Sequence, residues 1–416
     1  MVEYLKVYIV IGLFKKLNYN VASLFIKYID INKLLMLCIP KYTEKNILYN
    51  LIKQSKSIEA IKYIHKNKNC NPDFINIDGN TPLIEACANK LDNVAELLIY
   101  KFGDKCKPEQ INNNGDTALI IACSFKIGNI AELIVNTFGD NCKPGQINNA
   151  GCTALMVSCA NRLSNIAKLL INNFKYGCKP EHVNNDGNTA LIIACSFELS
   201  NIAKLLIDNF KYDCKPEHVN NNGNTALIIA CSFKLSNITE LLVSSFIYKC
   251  KPEQINNKGD TALLCACSNS LGNIAELLIN TFGGKCKPEQ INDKGNTALL
   301  CACSNSLGNI AELLINTFKD KCRLKYENNG KNALALASEK KLYDLIIKIK
   351  SLNKSIKKDY NYNDTDCIIC KDELNGKRVM LIGCGHSCYC SSCSLLNNKC
   401  SICNESIIDR YEILKS

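Results

Sequence analysis

Apolar positions along the chain recur at helical spacing in short bursts broken by polar turns. Ala118, Leu119, Ala122 and Cys123 share one helical face. After a polar break, Ile130, Ala131, Leu133 and Ile134 form the face of a second helix. Thr117 stands where a helix wants an N-cap hydroxyl, and Pro82 occupies a first helical position, where a missing N–H costs nothing. Gly128-Asn129, or Ser164-Asn165 further on, starts the second helix, and Pro144 predicts its end. An Asn-rich glycine turn then leads into the next pair.

This cycle repeats. Glycines stand at 79, 115, 151, 187, 223, 259 and 295, each 36 residues from the last, and Gly330 comes one residue early. Around each runs Ile/Val-Asn-x-x-Gly-x-Thr, as in Ile111–Thr117, and a Cys-Lys-Pro closes the unit, as in Cys106–Pro108. A helix pair with a tight turn cannot bury its apolar face alone, so neighbours must stack. Ile47–Ile64 and Val7–Ile29 read as degenerate pairs before the regular frame, and Gly330–Lys350 as a polar-faced final one. The expected organisation is degenerate capping units over 1–78, seven regular units over 79–329, a degenerate unit over 330–352, a polar linker over 353–366, and a separate domain over 367–416.

The Asn-x-x-Gly-x-Thr-Pro/Ala-Leu signature, the following Ala and the Leu97–Leu98 pair of the second helix resemble the ankyrin repeat. The fold class implied is an all-α solenoid of stacked helix pairs followed by a small zinc-stabilised domain. Two departures stand out. Ile84, Ile120 and their equivalents replace the family's His after Thr-Pro-Leu, so its turn-bracing hydrogen bond is expected to be lost. The unit is also three residues longer than the usual 33, between the second helix and the turn. Ankyrin arrays bind partners through turn tips and the first-helix face. By that resemblance the substrate-binding candidates are Asp116, Cys152, Asn188, Lys258 and Lys294 at the tips, with Phe125, Phe197 and Phe233 as aromatic anchors.

Composition sharpens this picture in two places. The formal charge of +11 comes from lysines scattered along the chain, which reads as solvated helix faces and makes a nucleic-acid partner unlikely. The abundance of Asn, Ile and Lys reads as the coding bias of an AT-rich genome. Twenty-seven cysteines fall into two kinds. Most recur at the repeat period, in a column from Cys87 to Cys303 and a second from Cys70 to Cys322. Stacked helices lie roughly 8–10 Å apart and a disulfide needs Cα atoms within about 7 Å, so neither column can be a disulfide ladder. The first column reads as small buried hydrophobes, and the second, before Lys-Pro, as partly exposed. No signal peptide and no run of roughly 18 apolar residues is present, so the expected location is intracellular, cytoplasmic, with no membrane partner.

The remaining cysteines carry chemistry. Cys367-x2-Cys370, Cys384-x-His386, Cys390-x2-Cys393 and Cys400-x2-Cys403 supply seven thiolates and one imidazole, enough for two tetrahedral zinc sites. With every coordination position filled by protein, both zinc ions would be structural, contributing on the order of 10 kcal/mol or more each to a domain with little core of its own. The spacing resembles the C3HC4 RING finger, particularly the C-terminal RING of inhibitor-of-apoptosis proteins, through Leu381–His386 and the spacings that follow. That resemblance implies interleaved sites, Cys367, Cys370, Cys390 and Cys393 holding one zinc and Cys384, His386, Cys400 and Cys403 the other, with Cys388 spare. It also implies an E2 ubiquitin-conjugating enzyme as partner, with Ile369 in the E2-binding groove. Ser401, Asn397 and Asn404 depart from the active pattern: Asn404 lacks the charge and planar fork of the Arg that bridges E2 and ubiquitin.

The function implied is a RING-type E3 ubiquitin ligase that forms no covalent intermediate, its array holding a protein substrate. The alternative is a non-enzymatic scaffold whose zinc-bound RING and apolar tail, Ile407 to Leu414, serve homodimerisation or protein interaction. Nothing in the array suggests hydrolase chemistry: it has no phosphate loop, and the whole chain has only four His.

Overall fold

The computed structural model describes residues 47–354, apart from 68, 69, 175, 176 and 212, together with the backbone of 377–382 and 409–414. The chain divides into two compact units, Met1–Lys179 and Pro180–Ser416. The described part of the first contains four helix pairs: α1 (Ile47–Lys53) and α2 (Ser57–Lys66), α3 (Pro82–Ala88) and α4 (Asp92–Phe102), α5 (Ala118–Ser124) and α6 (Gly128–Phe138), α7 (Ala154–Ala160) and α8 (Ser164–Asn173). The described part of the second contains five: α9 (Ala190–Ser196) and α10 (Ser200–Asn209), α11 (Ala226–Ser232) and α12 (Ser236–Ser245), α13 (Ala262–Ser268) and α14 (Gly272–Phe282), α15 (Ala298–Ser304) and α16 (Gly308–Phe318), α17 (Ala333–Glu339) and α18 (Tyr343–Lys354). Strands β1 (Lys377–Ile382) and β2 (Asp409–Leu414) pair antiparallel, with Met380 opposite Tyr411 and Arg378 opposite Ile413. Each unit's helices form the expected all-α solenoid of stacked pairs, and α1 with α2 is the degenerate pair read at Ile47–Ile64. The pair read at Val7–Ile29 lies outside the described residues.

The start of each short helix is set by its threonine. Thr117 Oγ1 accepts from Ile120 N at 3.3 Å, and Thr81, Thr153, Thr189, Thr225, Thr261 and Thr297 do the same three residues on. Asn332 takes over this role at α17. The sequence suggested one buried face for these helices, but Ala118 to Cys123 are all buried. A helix lying between the first helices of its neighbours and its own second helix has no free side. The second helices are amphipathic: α6 buries Ile130, Ala131, Ile134 and Val135 and leaves its other side to solvent.

Pro144 does not end the second helix. Helix α6 stops at Phe138, because Gly139 turns to φ +52°, and a 3-10 turn, Gly139–Cys142, follows. The three extra residues of the unit lie in this turn. From Cys106 to Cys322 the second cysteine column is buried, with or without the 3-10 turn, which corrects the expectation of partial exposure there, while Cys70 is half-buried. Cys106, Cys142, Cys178 and Cys214 are 0% exposed. Where the bond is seen, the thiol donates back into the preceding helix: Cys106 to Leu98 O at 3.2 Å, Cys250 to Leu242 O at 3.3 Å, Cys322 to Leu314 O at 2.9 Å. Each thiol adds a second donor to a carbonyl in the last turns of the helix, as at Leu242 O, which also accepts from Phe246 N, and so a small, weakly polar residue is accommodated in the buried turn.

The asparagines, read above as coding bias, build the stack. Asn112 Oδ1 accepts from the backbone of Asn114 and Asp116 in its own turn, while its amide donates to Asn80 Oδ1 of the preceding unit at 3.0 Å. Asn148 donates to Asp116, and in the second unit Asn220, Asn256, Asn292 and Asn328 repeat the step. A backbone rung accompanies it, as Asn113 N to Asp78 O at 2.8 Å and Asp293 N to Lys258 O at 2.9 Å. Gly115 must be glycine: its φ is +79° and a Cβ would meet Asn148 Cα at 2.8 Å. The turn-bracing bond expected to be lost is supplied from another position. Gln110, Gln146 and Gln254 donate to Gly79 O, Gly115 O and Gly223 O, and His218 Nε2 meets Gly187 O at 2.9 Å.

Candidate partner-binding surface

Each glycine turn presents two side chains with different fates. The residue after the glycine turns into the ladder: Asp116 is 8% exposed and its carboxylate takes the Asn148 amide at 2.9 Å. Asn188 is half-buried and accepts from Asn220 at 2.8 Å. Burial raises the Asp116 carboxyl above its ordinary range, opposed by the Asn148 hydrogen bond. The structure thus engages Asp116 Oδ1 and Asn188 Oδ1 within the array itself. Cys152, at the same position, is likewise half-buried. The residue before the glycine points out. Asp78, Asn114 and Ala150 are exposed in the first unit, and Asp186, Asn222, Lys258 and Lys294 in the second. Sequence reasoning mixed these two columns and so missed Asp78, Asn114, Ala150, Asp186 and Asn222; distance from the glycine was the signal that separates them.

The aromatic candidates sit where the short helix ends. In the units holding Asn89, Asn161, Asn269 and Asn305, this position donates to carbonyls of the preceding unit, as Asn161 to Cys123 O at 3.1 Å and Asn305 to Cys267 O at 2.9 Å. Phe125 and Phe233 have no such donor and stand 39% and 44% exposed, while Phe197 is half-buried. Lys90 Nζ lies 5.9 Å from the centroid of the Phe125 ring, a cation–π distance.

In the second unit a groove of about 540 Å³ runs between turns and short helices, bordered by Lys258 and Lys294, with Asp260, Cys265, Asn292 and Cys301 among its lining residues. Two of the sequence candidates are therefore brought together here. Cys265 and Cys301 take the place of Ile193 and Ile229 in earlier units, and accept from Ser232 Oγ at 3.2 Å and Ser268 Oγ at 3.0 Å. Burial pushes the Cys265 thiol up to about 12, so it is a neutral wall group rather than a nucleophile.

Among the described residues no group of three or more His, Cys, Asp or Glu is placed to hold a metal ion, and no helix is long and apolar enough to cross a membrane. Cys367, Cys370, Cys384, His386, Cys390, Cys393, Cys400 and Cys403 lie outside the described residues, as do Ile369, Asn397, Ser401 and Asn404. The described strands flank six of these eight ligands in sequence: β1 ends at Ile382, just before Cys384, and β2 begins at Asp409, beyond Cys403, while Cys367 and Cys370 precede β1.

A family model described as ankyrin repeats (3 copies) matches residues 48–143, 93–180, 129–217 and 210–287, together more than half of the chain. A second, described as a zinc finger of C3HC4 type (RING finger), matches residues 363–410, and a RING finger implies bound zinc. Among solved structures the chain is similar to the ankyrin repeat domain of Bcl-3, titled a unique member of the IkappaB protein family. Identity is 22%, the match covers 57% of this chain and 99% of that one, and the TM-score is 0.42. No curated protein matches the sequence.

Proposed function

This chain belongs to the ankyrin-repeat family, and on that premise we propose that it is a RING-type E3 ubiquitin ligase whose array holds a protein substrate while the RING recruits a ubiquitin-charged E2. The observation that carries this reading is the presence of both elements, a partner-binding array and a C3HC4 finger, in one chain. Seven thiolates and one imidazole are a donor set suited to zinc. Cys367, Cys370, Cys390 and Cys393 would hold one ion, and Cys384, His386, Cys400 and Cys403 the other. With no open position, the metal supplies folding stability only. Ile369 would pack against the E2, and transfer would pass from the E2 thioester directly to a substrate lysine, with no intermediate on this chain. Free, buried cysteines throughout the described residues support a reducing, cytoplasmic setting.

The test is reconstitution of the full chain with E1, ubiquitin and a panel of E2 enzymes. Ubiquitin chains are expected with at least one E2 and should disappear with His386→Ala, together with loss of bound zinc from the expected two ions per chain. No chains with any E2, or equal activity in the variant, would sink the ligase reading. A second reading, a non-enzymatic scaffold, draws on Asn397, Ser401 and Asn404, which depart from the residues that engage E2 and ubiquitin. It predicts zinc-dependent self-association through the RING and its tail, with no discharge of charged E2.

A further inference from the structure

We infer that the furrow between α12 and α14 docks an amphipathic helix of a protein partner, apolar along one side and basic on its flank. This face is separate from the turn tips, and the inference stands whether or not the RING transfers ubiquitin.

Helices α12 and α14 pack side by side and leave between them an open furrow of about 520 Å³. Leu241, Val243, Ile247 and Leu277 give it an apolar lining. Of the lining residues only Glu240 is charged, and the other polar groups are amides and hydroxyls. The array's own repeat shows which residues make the furrow. Ser244 stands in a column that elsewhere holds Tyr100, Asn136, Asn172, Asp208, Asn280 and Asn316, so the smallest side chain falls here. Ile247 is 44% exposed at a position that Gly103, Gly139, Lys211, Gly283 and Lys319 occupy in other units. Tyr248, next along the chain, is 98% exposed. Large apolar side chains held out to water beside an apolar furrow mark a contact surface.

Charge fixes the flank of the guest. In a chain of net charge +11, α12 and α14 carry one charged residue each, Glu240 and Glu276, and α16 carries only Glu312. Lys348 pairs with Glu312 at 4.0 Å, whereas Glu240 and Glu276 are exposed and make no ion pair among the described residues. Lys249 and Lys285 follow the two helices and border an adjoining hollow instead.

The backbone of the walls fixes the guest's shape. Helices pair their N–H and C=O groups internally, so α12 and α14 offer no edge to an extended strand. An extended guest would bury its own backbone groups unpaired against leucine and isoleucine, each at a cost comparable to a lost hydrogen bond. A helical guest arrives with its backbone paired and can lay an apolar ridge into the groove between the two helices. Lysine or arginine beside that ridge then meets Glu240 and Glu276, and its aliphatic stem covers furrow wall as well.

The test uses the purified full chain and fluorescein-labelled peptides of about 18 residues, long enough to hold a helix. Three share one leucine stripe and carry lysine, glutamate or glutamine on its flank, and a fourth is the lysine peptide with a central proline. By anisotropy the lysine peptide should bind at least about 10-fold tighter than the glutamate and proline peptides, with the glutamine peptide between. Ser244→Asn/Ile247→Gly gives α12 the residues that α14 carries at Asn280 and Gly283. With helicity unchanged by circular dichroism, this variant should bind the lysine peptide about 10-fold more weakly. Glu240→Lys/Glu276→Lys should invert the order of the lysine and glutamate peptides. Equal binding of the glutamate or proline peptide, or indifference to either double variant, overturns the inference. So does light scattering in which wild type self-associates and Ser244→Asn/Ile247→Gly does not, because the occupant is then a second copy of this chain. Ubiquitin transfer is read separately: peptide binding lost with transfer intact removes this surface alone, and peptide binding kept without transfer removes the ligase reading alone.

Discussion

Lysine recurs in backbone conformations that favour glycine. Lys126, at φ +63°, closes α5 in the left-handed region while Ile127 N bonds back to Ala122 O, and the buried Ile127 side chain accompanies that closure. Lys319 is the more strained case. It stands at φ +49° and ψ −121° where Gly103, Gly139 and Gly283 occupy the equivalent position with the same backbone angles. That region is nearly glycine-only. Lys319→Gly should therefore raise stability by about 1 kcal/mol, the relief of strain exceeding the extra chain entropy of glycine. Urea unfolding measures it, and a destabilised variant would show that the Lys319 side chain makes up for its backbone.

Between turns, the Asn ladder is the element whose chemistry can be inverted by one atom. Asn148 donates to Asp116 Oδ1 and accepts from two backbone N–H groups in its own turn. Asn148→Asp keeps the acceptors but sets two carboxylates face to face. About 1–3 kcal/mol should be lost at pH 7. The sign follows from the raised folded-state pKa of the pair: the neutral acid is favoured on folding, so the lost stability returns as pH falls through the raised folded value and is complete only below about 4, where the unfolded carboxyls are also protonated. Thermal unfolding at pH 4 and pH 7 checks this, and a pH-independent loss would mean that Asp116 is not the partner that matters. Helix pairs, their threonine caps and their period were legible because local spacing dictates them. The ladder was not, since a polar turn residue facing a neighbour's turn has the same sequence signature as one facing water. Only Lys258 and Lys294, one residue before the glycine, were read correctly as outward tips.

Over the whole chain the buried thiols make stability a function of pH. Burial pushes Cys87, Cys106, Cys142, Cys159, Cys214, Cys250, Cys286, Cys303 and Cys322 up to about 12. An unfolded thiol ionises near about 8.5. Between those values the unfolded chain has released protons that the folded one keeps, so this stability is complete below about pH 8.5 and falls as pH rises. Each such thiol withdraws up to about 1.4 kcal/mol per pH unit above its unfolded value, so the array should lose stability as pH is raised through the alkaline range. A urea midpoint, read by circular dichroism, that holds steady over that range would contradict it. The RING was legible through eight potential ligands in family spacing, whereas the pairing of the tail with Lys377–Ile382 was not, because strand partners far apart in sequence leave no local period. The ladder also bears on how such a chain changes length over generations. Residues 261–282 and 297–318 are identical, so unequal recombination in the gene can drop or add one copy without a seam. Deleting residues 261–296 joins Asp260 to Thr297 and leaves Asn328 facing the Asp260 carboxylate in place of the Asn296 amide it now meets. The shortened chain should fold with the same helicity per residue, making copy number a quantity that selection on partners can tune.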